Sequence, residues 1–520
     1  MELIRENIHM EVVSGEGEIQ ITLEDDLNLP EKKPDVSTLC MEKGTVVIEE
    51  VRPSTDQVMV KGRLCFSVLY HTNEDGGRLA CTEGRIPFEE KIRIDGLLGT
   101  DTVNVCGEVS DLSVSMINSR KLSVQAIVTL TATVEEIKDE TLPTGIDGDS
   151  EMDGNPQFRL QPVEFTQVCL CRKDVLRVKE EIELPAGYPN IGQILWKSVE
   201  FGEMNFRLGD EKLWVQGELR IFVLYESEDG ATAPQIFETV IPVSDEIACS
   251  GCRGRETMDV RYGMAQCEIT PGTDADGEQR VFGLDVVIEL KMCAYEDRSL
   301  QVMTDIYGVS EEINGEKKTA HLEKLLRAVT GKAKLNDQVM LSEGAKVLQL
   351  IHSDAQVVLS DTEITKDGIL LHGSMHVKIL YVTGDDEKPY GCIRTVIPFE
   401  YLLEIPGMTP EVRFGRIRTE LEQLSVTMPD GEQMEVKAVI CFATTAAEPT
   451  SEEVIGSVSE MPLENEKMAA LPGMVVYVVK EGDNLWNIGK KYYVPVESLV
   501  EMNDLDSEEV QAGQKILVVR

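Results

Sequence analysis

The residues best suited to metal, redox or nucleophilic chemistry are few and scattered in this 520-residue chain. Cys249 and Cys252 form one C-x-x-C pair, but no second pair follows at the spacing of a zinc site. His372 and His376 are spaced to share one face of a strand, yet no third ligand accompanies them. The sequence has no G-x-S-x-G, phosphate-binding loop or H-E-x-x-H motif. It therefore predicts no catalytic residue, no metal site and no cofactor, and binding is the chemistry that remains.

Two short polar segments near the C-terminus are the best candidates for binding. Their residues are Gly482, Asp483, Asn484, Leu485 and Trp486 in the first segment, and Asn503, Asp504 and Leu505 in the second. The surrounding pattern predicts a strand, two helices and a strand. Asp483 is expected to be the N-cap of a helix over residues 484–493, and Asn503 is expected to end a second helix over 496–502.

Residues 474–520 resemble the LysM domain. The Y-x-V-x-x-G-D-x-L-W-x-I start, the Asn after the second helix and the G-Q-x-[IL]-x-[IV] end are all present. The resemblance implies that the two polar segments line a groove for N-acetylglucosamine polymers such as peptidoglycan. Asp483 and Asn503 can equally be helix caps, and Trp486 can be a packing residue with one exposed edge. Gly489 stands where the family usually has Ala, which predicts a looser first helix.

Ahead of this module the sequence repeats itself three times. The segments VKGRLCFSVLY (60–70), VQGELRIFVLY (215–225) and LHGSMHVKILY (371–381) each place a Gly eight residues before a Tyr. An Ile-Pro pair follows sixteen residues after each Tyr. Gly62, Gly217 and Gly373 are 155 and then 156 residues apart, which is too long for a solenoid unit. The spacing predicts three tandem copies of one globular domain.

Each copy has the pattern of β structure. Apolar and polar residues alternate along the Gly-to-Tyr segment, as they do in a half-buried strand. The shared Gly indicates a bulge or a close backbone approach, and the Ile-Pro pair indicates a strand end or an edge strand. The clearest helix signal is at residues 321–329, HLEKLLRAV. The predicted fold class is mainly β, with an antiparallel β-sandwich for each copy.

A proline-containing segment precedes the repeated strand. Pro30 and Pro185 belong to L-P-x-x-x-P-[DN]-[IV] segments and lie 32 residues before the repeated Gly, and Ser342 replaces the proline in the third copy. Together with the Gly-to-Tyr strand and the Ile-Pro pair, this segment resembles the SPOCS domain of spore-coat morphogenesis proteins in endospore-forming Firmicutes. The resemblance covers about residues 1–445.

Acidic segments separate the predicted domains. We expect SPOCS-like copies at residues 1–137, 158–296 and 321–445 and the LysM domain at 474–520. The composition of residues 138–157 and 446–473, rich in acids with Gly and Pro, predicts exposed linkers, and a weaker connector is expected at 297–320.

The charge of the chain bears on its partners and compartment. The formal net charge is −43, which disfavours nucleic acid and anionic membranes and favours basic partner surfaces or divalent cations. Apolar runs are too short for a membrane span, and the N-terminus lacks the pattern of a signal peptide. We therefore expect a cytosolic protein without membrane insertion, whose twelve cysteines are mostly buried small hydrophobes.

The family resemblances imply a non-catalytic scaffold of endospore coat assembly. It would act in the mother-cell cytosol at the forespore surface and bind a coat morphogenetic protein of the stage IV sporulation protein A type. The alternative is a wall- or cortex-associated protein whose LysM domain binds peptidoglycan or another N-acetylglucosamine glycan. A wall hydrolase targeted by LysM is the least favoured hypothesis, because no carboxylate pair stands out.

Overall fold

A computed structural model describes residues 2–72, 78–147, 156–230, 233–341, 347–385, 389–429, 433–463 and 471–520. Within these ranges nearly all regular structure is β, and two short helices lie near the C-terminus. No helix in these ranges has both the length and the apolar character needed to cross a bilayer.

The first copy has six strands, which form two antiparallel sheets. The strands are β1 (Glu2–Asn28), β2 (Val36–Ser54), β3 (Gln57–Thr72), β4 (Leu79–Arg93), β5 (Val103–Asn118) and β6 (Lys121–Asp147). One sheet has the order β1-β6-β5 and the other β2-β3-β4. The buried residues of both sheets belong to one apolar cluster, as in a sandwich.

The second and third copies repeat this plan with short additional strands. The second contains β7 (Gln157–Glu183), β8 (Ile191–Phe201), β9 (Asn205–Leu208), β10 (Asp210–Ser227), β11 (Gln235–Arg253), β12 (Thr257–Thr273) and β13 (Gln279–Tyr307). The third contains β14 (Glu311–Met340), β15 (Val347–Ile364), β16 (Gly368–Thr383), β17 (Tyr390–Glu404), β18 (Arg413–Phe414), β19 (Arg418–Thr427) and β20 (Gln433–Pro462). The sheet orders are β11-β10-β8 and β12-β13-β7, then β15-β16-β17 and β14-β20-β18. The prediction of a mainly β fold is confirmed.

The repeated Gly lies where a neighbouring strand leaves no room for a side chain. A Cβ atom on Gly62 would lie 2.6 Å from the ring of Phe88, and one on Gly373 would lie 2.6 Å from the ring of Phe399. The ladder also shifts register opposite both glycines. The close approach and the bulge are therefore both present in these two copies.

The repeated Ile-Pro pair lies on an edge strand in every copy. Pro87, Pro242 and Pro398 belong to β4, β11 and β17, each of which is the last strand of its sheet. An edge strand can accept proline because one side of it has no ladder bond to lose. This prediction is confirmed.

The repeated Tyr fixes the proline-containing segment. The Tyr70 hydroxyl donates to the Pro34 carbonyl at 3.1 Å, and the Tyr225 hydroxyl donates to the Pro189 carbonyl at 3.0 Å. The tyrosines are buried, so the hydrogen bond satisfies a hydroxyl that water does not reach. Ser342, where the third copy departs from the motif, lies outside the described residues.

An arginine that the sequence patterns did not single out clamps the same segment. Arg120 donates to the carbonyls of Lys33 at 2.7 Å and Pro30 at 2.8 Å. Arg280 makes the equivalent pair of bonds in the second copy, to Tyr188 and Pro185. A guanidinium group can hold two carbonyls at once because its donors form a rigid fork.

The segments predicted to be linkers are strands. In each copy the first and last strands form one long ribbon, with end pairs Glu2↔Asp147, Gln157↔Tyr307 and Glu311↔Pro462. Residues 138–147 and 446–462 are therefore ladder strands, and so is most of the predicted connector at 297–320. For these residues the linker interpretation is wrong, because each pairs with a distant strand and part of the ribbon is buried, as at Leu142. Residues 148–155 and 464–470 lie outside the described residues.

The predicted helix at residues 321–329 is also a strand, within β14. Its leucines have a helix-like spacing, but ladder pairing with β20 runs through the whole segment and Leu322 is buried between copies. Tertiary pairing has overridden a local helical preference.

The three copies are joined into one body by shared apolar clusters. One cluster lies between the ribbons and includes Ile8 of the first copy, Phe165 of the second and Leu322 of the third. A second cluster includes Met41 and Trp196 of the first and second copies and Leu380 of the third. Burial of this kind stabilises an interface by about 25 cal/mol per Å² of apolar surface.

A buried carboxylate with a basic partner also links each pair of copies. Glu42 of the first copy lies 2.9 Å from Lys378 and 2.7 Å from Arg394 of the third. Glu135 of the first copy pairs with Arg261 of the second, and Asp259 of the second copy pairs with Arg418 of the third. All three carboxylates are less than a tenth exposed. Removing a basic partner would therefore leave a buried charge without compensation, which is strongly destabilising.

The C-terminal module has the predicted βααβ order. It consists of β21 (Met474–Val478), α1 (Leu485–Tyr492), α2 (Val496–Met502) and β22 (Lys515–Val519). Leu485, Ile488, Leu499 and Ile516 form its small buried core, which contains no residue of the three copies among those described. The module therefore has a core of its own.

Candidate functional site

The first polar segment of the C-terminal module is a turn that leads into α1. Gly482 has a φ of 87°, a conformation that favours glycine. The N-cap of α1 is Asn484, whose side-chain oxygen accepts from the backbone N–H of Asn487 at 2.8 Å. The prediction that Asp483 is the N-cap is wrong by one residue.

Asp483 instead fastens the turn to β21. Its carboxylate accepts from the Tyr477 hydroxyl at 2.7 Å and from the backbone N–H of Lys480 at 2.9 Å. The hydrogen bond from Tyr477 is the main cause that lowers the pKa of Asp483. The carboxylate is thus held in its charged form and its two main contacts are structural.

The second polar segment is held by Asn503. Its amide nitrogen donates to the carbonyls of Leu499 and Leu517 at 2.8 Å, and its amide oxygen accepts from the Leu517 N–H at 2.7 Å. The side chain therefore joins the end of α2 to β22. Asn503 is the C-cap of α2, as predicted, and most of its hydrogen-bonding capacity is used within the module.

The two segments are fastened to neighbouring positions of one small sheet. Tyr477, which holds the first segment, pairs with Ile516, and the next residue along β22 is Leu517, which holds the second. Leu485 and Leu505 contribute to the core below and offer little to a ligand. The parts of the expected groove that remain exposed are Gly482 and Asp504.

Trp486 faces the chain's own second copy. Its indole N–H donates to Asp305 at 2.7 Å, and its ring meets that of Tyr307 edge-on with the centroids 4.9 Å apart. The Lys490 ammonium donates to the other Asp305 oxygen at 2.5 Å. Burial of Asp305 opposes ionisation, but the bonds from Lys490 and Trp486 outweigh it and keep the pKa of that carboxyl below its usual range.

Gly489 makes room for this contact. The Tyr307 hydroxyl donates to the Val494 carbonyl at 2.9 Å, directly beside the helix. A Cβ atom on Gly489 would lie 2.6 Å from the Val494 oxygen and 2.7 Å from the Tyr307 hydroxyl. The departure from the usual Ala is therefore explained by close packing against the module's own Val494 carbonyl and the Tyr307 hydroxyl of the second copy, and nothing in the hydrogen bonding of α1 indicates a loosened helix.

The sequence patterns did not point to Asp305 or Tyr307. Both lie at the end of β13, in the segment predicted to be a connector, and more than 180 residues before the residues to which they hydrogen-bond. The one available signal was the exceptional Gly489, which indicated that something lies close to α1.

The cysteine and histidine candidates have structural surroundings. Cys249 and Cys252 are buried and free, and burial raises the pKa of Cys252 to about 11, which keeps it a thiol. His376 contacts Ser374, and His372 lies 3.7 Å from Glu400. A disulfide between Cys171 and Cys293 joins β7 and β13, although the expected cytosolic location predicts mostly reduced cysteines.

A cavity of about 2530 Å³ opens between the three copies. Its wall carries charges of both signs, and one set joins all copies: the Lys43 ammonium lies 3.3 Å from Asp354 and 4.0 Å from Glu200. Burial raises the pKa of Glu200 despite the nearby lysine. These groups bind the copies to one another, and no sequence motif indicated the cavity.

Comparison with known protein families agrees with this architecture. The family model described as "SipL, SPOCS domain" matches residues 35–117, 190–271 and 346–429. The LysM model matches residues 477–519. No solved structure matches the chain.

Two curated proteins resemble a short part of the chain. A "Probable endopeptidase p60" of Listeria grayi is 48% identical over 42 residues, which is 8% of this chain and 8% of that protein. An "Uncharacterized protein YkzQ" of Bacillus subtilis (strain 168) is 42% identical over 43 residues, which is 8% of this chain and 57% of that protein. The chain thus spans less than two thirds of either relative. The family matches indicate a sporulation-related protein with a domain of the peptidoglycan-binding type, and the chain consists of three SPOCS domains followed by a LysM domain.

Proposed function

We propose that this protein is a non-catalytic scaffold of endospore coat assembly. Its SPOCS domains and LysM domain would localise it to the forespore surface, on the mother-cell side, and bind a coat morphogenetic protein of the stage IV sporulation protein A type. The observation that carries the proposal is the union of three SPOCS domains into one body, with the LysM domain seated at its ribbon end. A body of this kind offers several related surfaces and one distinct module in a fixed arrangement, which suits a bridging role.

Charge supports a protein partner with a basic surface. The chain carries 93 acidic and 50 basic residues, so its field favours cationic surfaces and disfavours polyanions. Teichoic or nucleic polyanions are poor partners on this ground, whereas a basic protein surface is a good one.

Peptidoglycan binding by the LysM domain is the second candidate. The exposed parts of its groove, Gly482 and Asp504, offer backbone groups and a short polar side chain, which suit the hydroxyl and N-acetyl groups of a glycan. The same exposure is open to a protein, so the groove alone does not favour the glycan.

A binding experiment with the full chain separates the two candidates. The purified protein is titrated with a purified stage IV sporulation protein A type ATPase and, separately, is sedimented with purified peptidoglycan sacculi. We expect binding to the ATPase. Asp504→Arg should weaken it because the change reverses the charge on an exposed lip, and the matched control Glu180→Arg, on the exposed face of β7, should not.

Three results would contradict the proposal. Sedimentation with sacculi without binding to the ATPase would favour the glycan-binding alternative. Release of soluble muropeptides from purified cortex by the full chain would show an enzyme. A fluorescent fusion that does not gather around the forespore would contradict the proposed location.

A further inference from the structure

We propose that the docking of the LysM domain on β13 is a closed state, and that a partner which binds the Trp486 face of LysM must displace Asp305 and Tyr307 first. This inference rests on the proposed function and adds a regulatory contact to it. The residues that hold the closed state lie on the second SPOCS domain, so the SPOCS body would control how much of LysM is available.

The competition follows from the donor count of Trp486. An indole ring has a single N–H donor, and Asp305 accepts it at 2.7 Å. The ring of Trp486 also meets the ring of Tyr307 at a steep angle, with the centroids 4.9 Å apart. A partner that uses this N–H, or the part of the ring that Tyr307 contacts, cannot do so while the LysM domain is docked.

The docking contact is small enough to open. Among the described residues, Asp305 and Tyr307 make hydrogen bonds and one aromatic contact to α1 and to Val494, two residues after it. The apolar core of the LysM domain is separate from the clusters that the three SPOCS domains share, among the residues described. An interface without a shared apolar core lacks the largest stabilising contribution to association.

The platform beneath the contact is firm. Asp305 and Tyr307 flank Ile306, which is fully buried in a cluster with Ile313 and Ile455 of the third domain. Leu3 and Ile146 of the first domain pack against the same cluster. Opening therefore moves the LysM domain and leaves the end of β13 in place.

A fluorine label reports the closed state without any partner. The full chain is labelled with 5-fluorotryptophan, which gives one ¹⁹F signal for each of its three tryptophans, and Trp486→Phe assigns the relevant signal. Asp305→Ala removes both acceptors and should move that signal to the position of an exposed tryptophan. Tyr307→Phe, which keeps the ring and removes the hydroxyl, should move it less.

The same variants are then titrated with the purified stage IV sporulation protein A type ATPase. Asp305→Ala should tighten apparent binding about tenfold, because the closed state no longer competes and a charged hydrogen bond is involved. Tyr307→Phe should tighten it about threefold. The matched control is Asp139→Ala, which removes an exposed ribbon carboxylate bound to His9 and should change neither the fluorine signal nor the affinity.

Each outcome is decisive. A Trp486 signal that does not respond to Asp305→Ala would show that the domain is not docked in solution. A signal that moves while the affinity stays unchanged would show that docking and binding do not compete. If neither the parent chain nor Asp305→Ala binds the ATPase, the proposed function and the competition are both refuted. Equal binding by these two proteins would overturn the competition alone.

Discussion

Replacing Gly489 by Ala restores the residue that LysM domains usually have and should release the domain from the SPOCS body. The added Cβ would lie 2.6 Å from the Val494 oxygen and 2.7 Å from the Tyr307 hydroxyl, closer than real Cβ atoms come to such groups. The substitution therefore tests the docking contact by adding one methyl group at its centre.

The expected magnitude comes from the packing of the docked state. Ala stabilises a helix interior over Gly by about 1 kcal/mol, but α1 is a helix in the docked and in the released domain, so this gain does not shift the docking equilibrium. Forcing an extra methyl into a closely packed site costs about 1 to 3 kcal/mol. The contact with the Val494 oxygen lies within the LysM domain and is present in both states, whereas the contact with the Tyr307 hydroxyl is present only in the docked state, so this second contact shifts the equilibrium. We expect the equilibrium to move toward release by about 2 kcal/mol, which is about thirtyfold.

The assay follows the ¹⁹F signal of Trp486 while urea releases the domain. Gly489→Ala should lower the urea concentration at which the signal changes, and the SPOCS strands should keep their circular dichroism over the same range. Tyr307→Phe is the partner variant, because it removes the hydroxyl and leaves the ring that α1 contacts.

The double variant provides the critical comparison. Once the hydroxyl is absent, the new methyl loses one of its two close contacts, so Gly489→Ala should cost less in the Tyr307→Phe background. Additive effects of the two substitutions would refute the reasoning. So would a Gly489→Ala protein that stays docked as firmly as the parent.

Three further predictions concern the SPOCS body, each measured by equilibrium unfolding of the full chain. Tyr70→Phe and Tyr225→Phe should each destabilise it by about 1 kcal/mol, because each loses a buried hydrogen bond to a proline carbonyl, whereas Tyr381→Phe, whose hydroxyl makes no such bond among the described residues, should be neutral. Glu42→Ala should cost about 3 kcal/mol because it leaves two basic groups without their buried partner, and a loss below about 1 kcal/mol would show that water replaces the carboxylate. Burial lowers the pKa of His352 from 6.5 to about 4, so the unfolded chain binds a proton there more readily than the folded chain does. The stability that depends on the neutral ring should therefore be full above pH 6.5 and fall as the pH drops toward 4. This fall should be larger in the parent chain than in His352→Phe. Parallel pH curves for the two proteins would contradict that assignment.

Local patterns predicted the repeated parts of each SPOCS domain well. The alternation around Gly62 and Tyr70 identified a half-buried strand, and the Ile-Pro pair identified an edge strand, because both depend on a residue's immediate neighbours. The predicted βααβ order of the LysM domain is equally local, and its one error, Asp483 for Asn484 as the N-cap, is a single position.

Long-range pairing explains the predictions that were wrong. Residues 138–147 and 446–462 have the composition of linkers, but their partners lie on strands more than a hundred residues away, which supply the ladder and the buried face. The leucines of segment 321–329 have a helical spacing, but the segment pairs with β20 and forms a strand. The composition of a segment does not reveal whether a distant strand pairs with it or whether another element buries one of its faces.

The docking site shows how a threefold body can hold a single module in one place. The three ribbons are alike in strand order and pairing, so the LysM domain would meet three similar ends if the sequences there were the same. They differ. When the last strands are aligned on their buried residues, the positions of Asp305 and Tyr307 are occupied by these residues in the other domains: Gly145 and Asp147 in the first, Ser457 and Ser459 in the third.

Neither alternative pair can make the same contact. Serine and glycine have no ring to meet Trp486, and Asp147 lies at the position that requires a hydroxyl donor for the Val494 carbonyl. A carboxylate there would face a carbonyl oxygen, and two acceptors repel. The contact with the LysM domain is therefore specific to the second ribbon, because the ribbons diverge at these two positions while the strands that build the three SPOCS domains keep their common pattern.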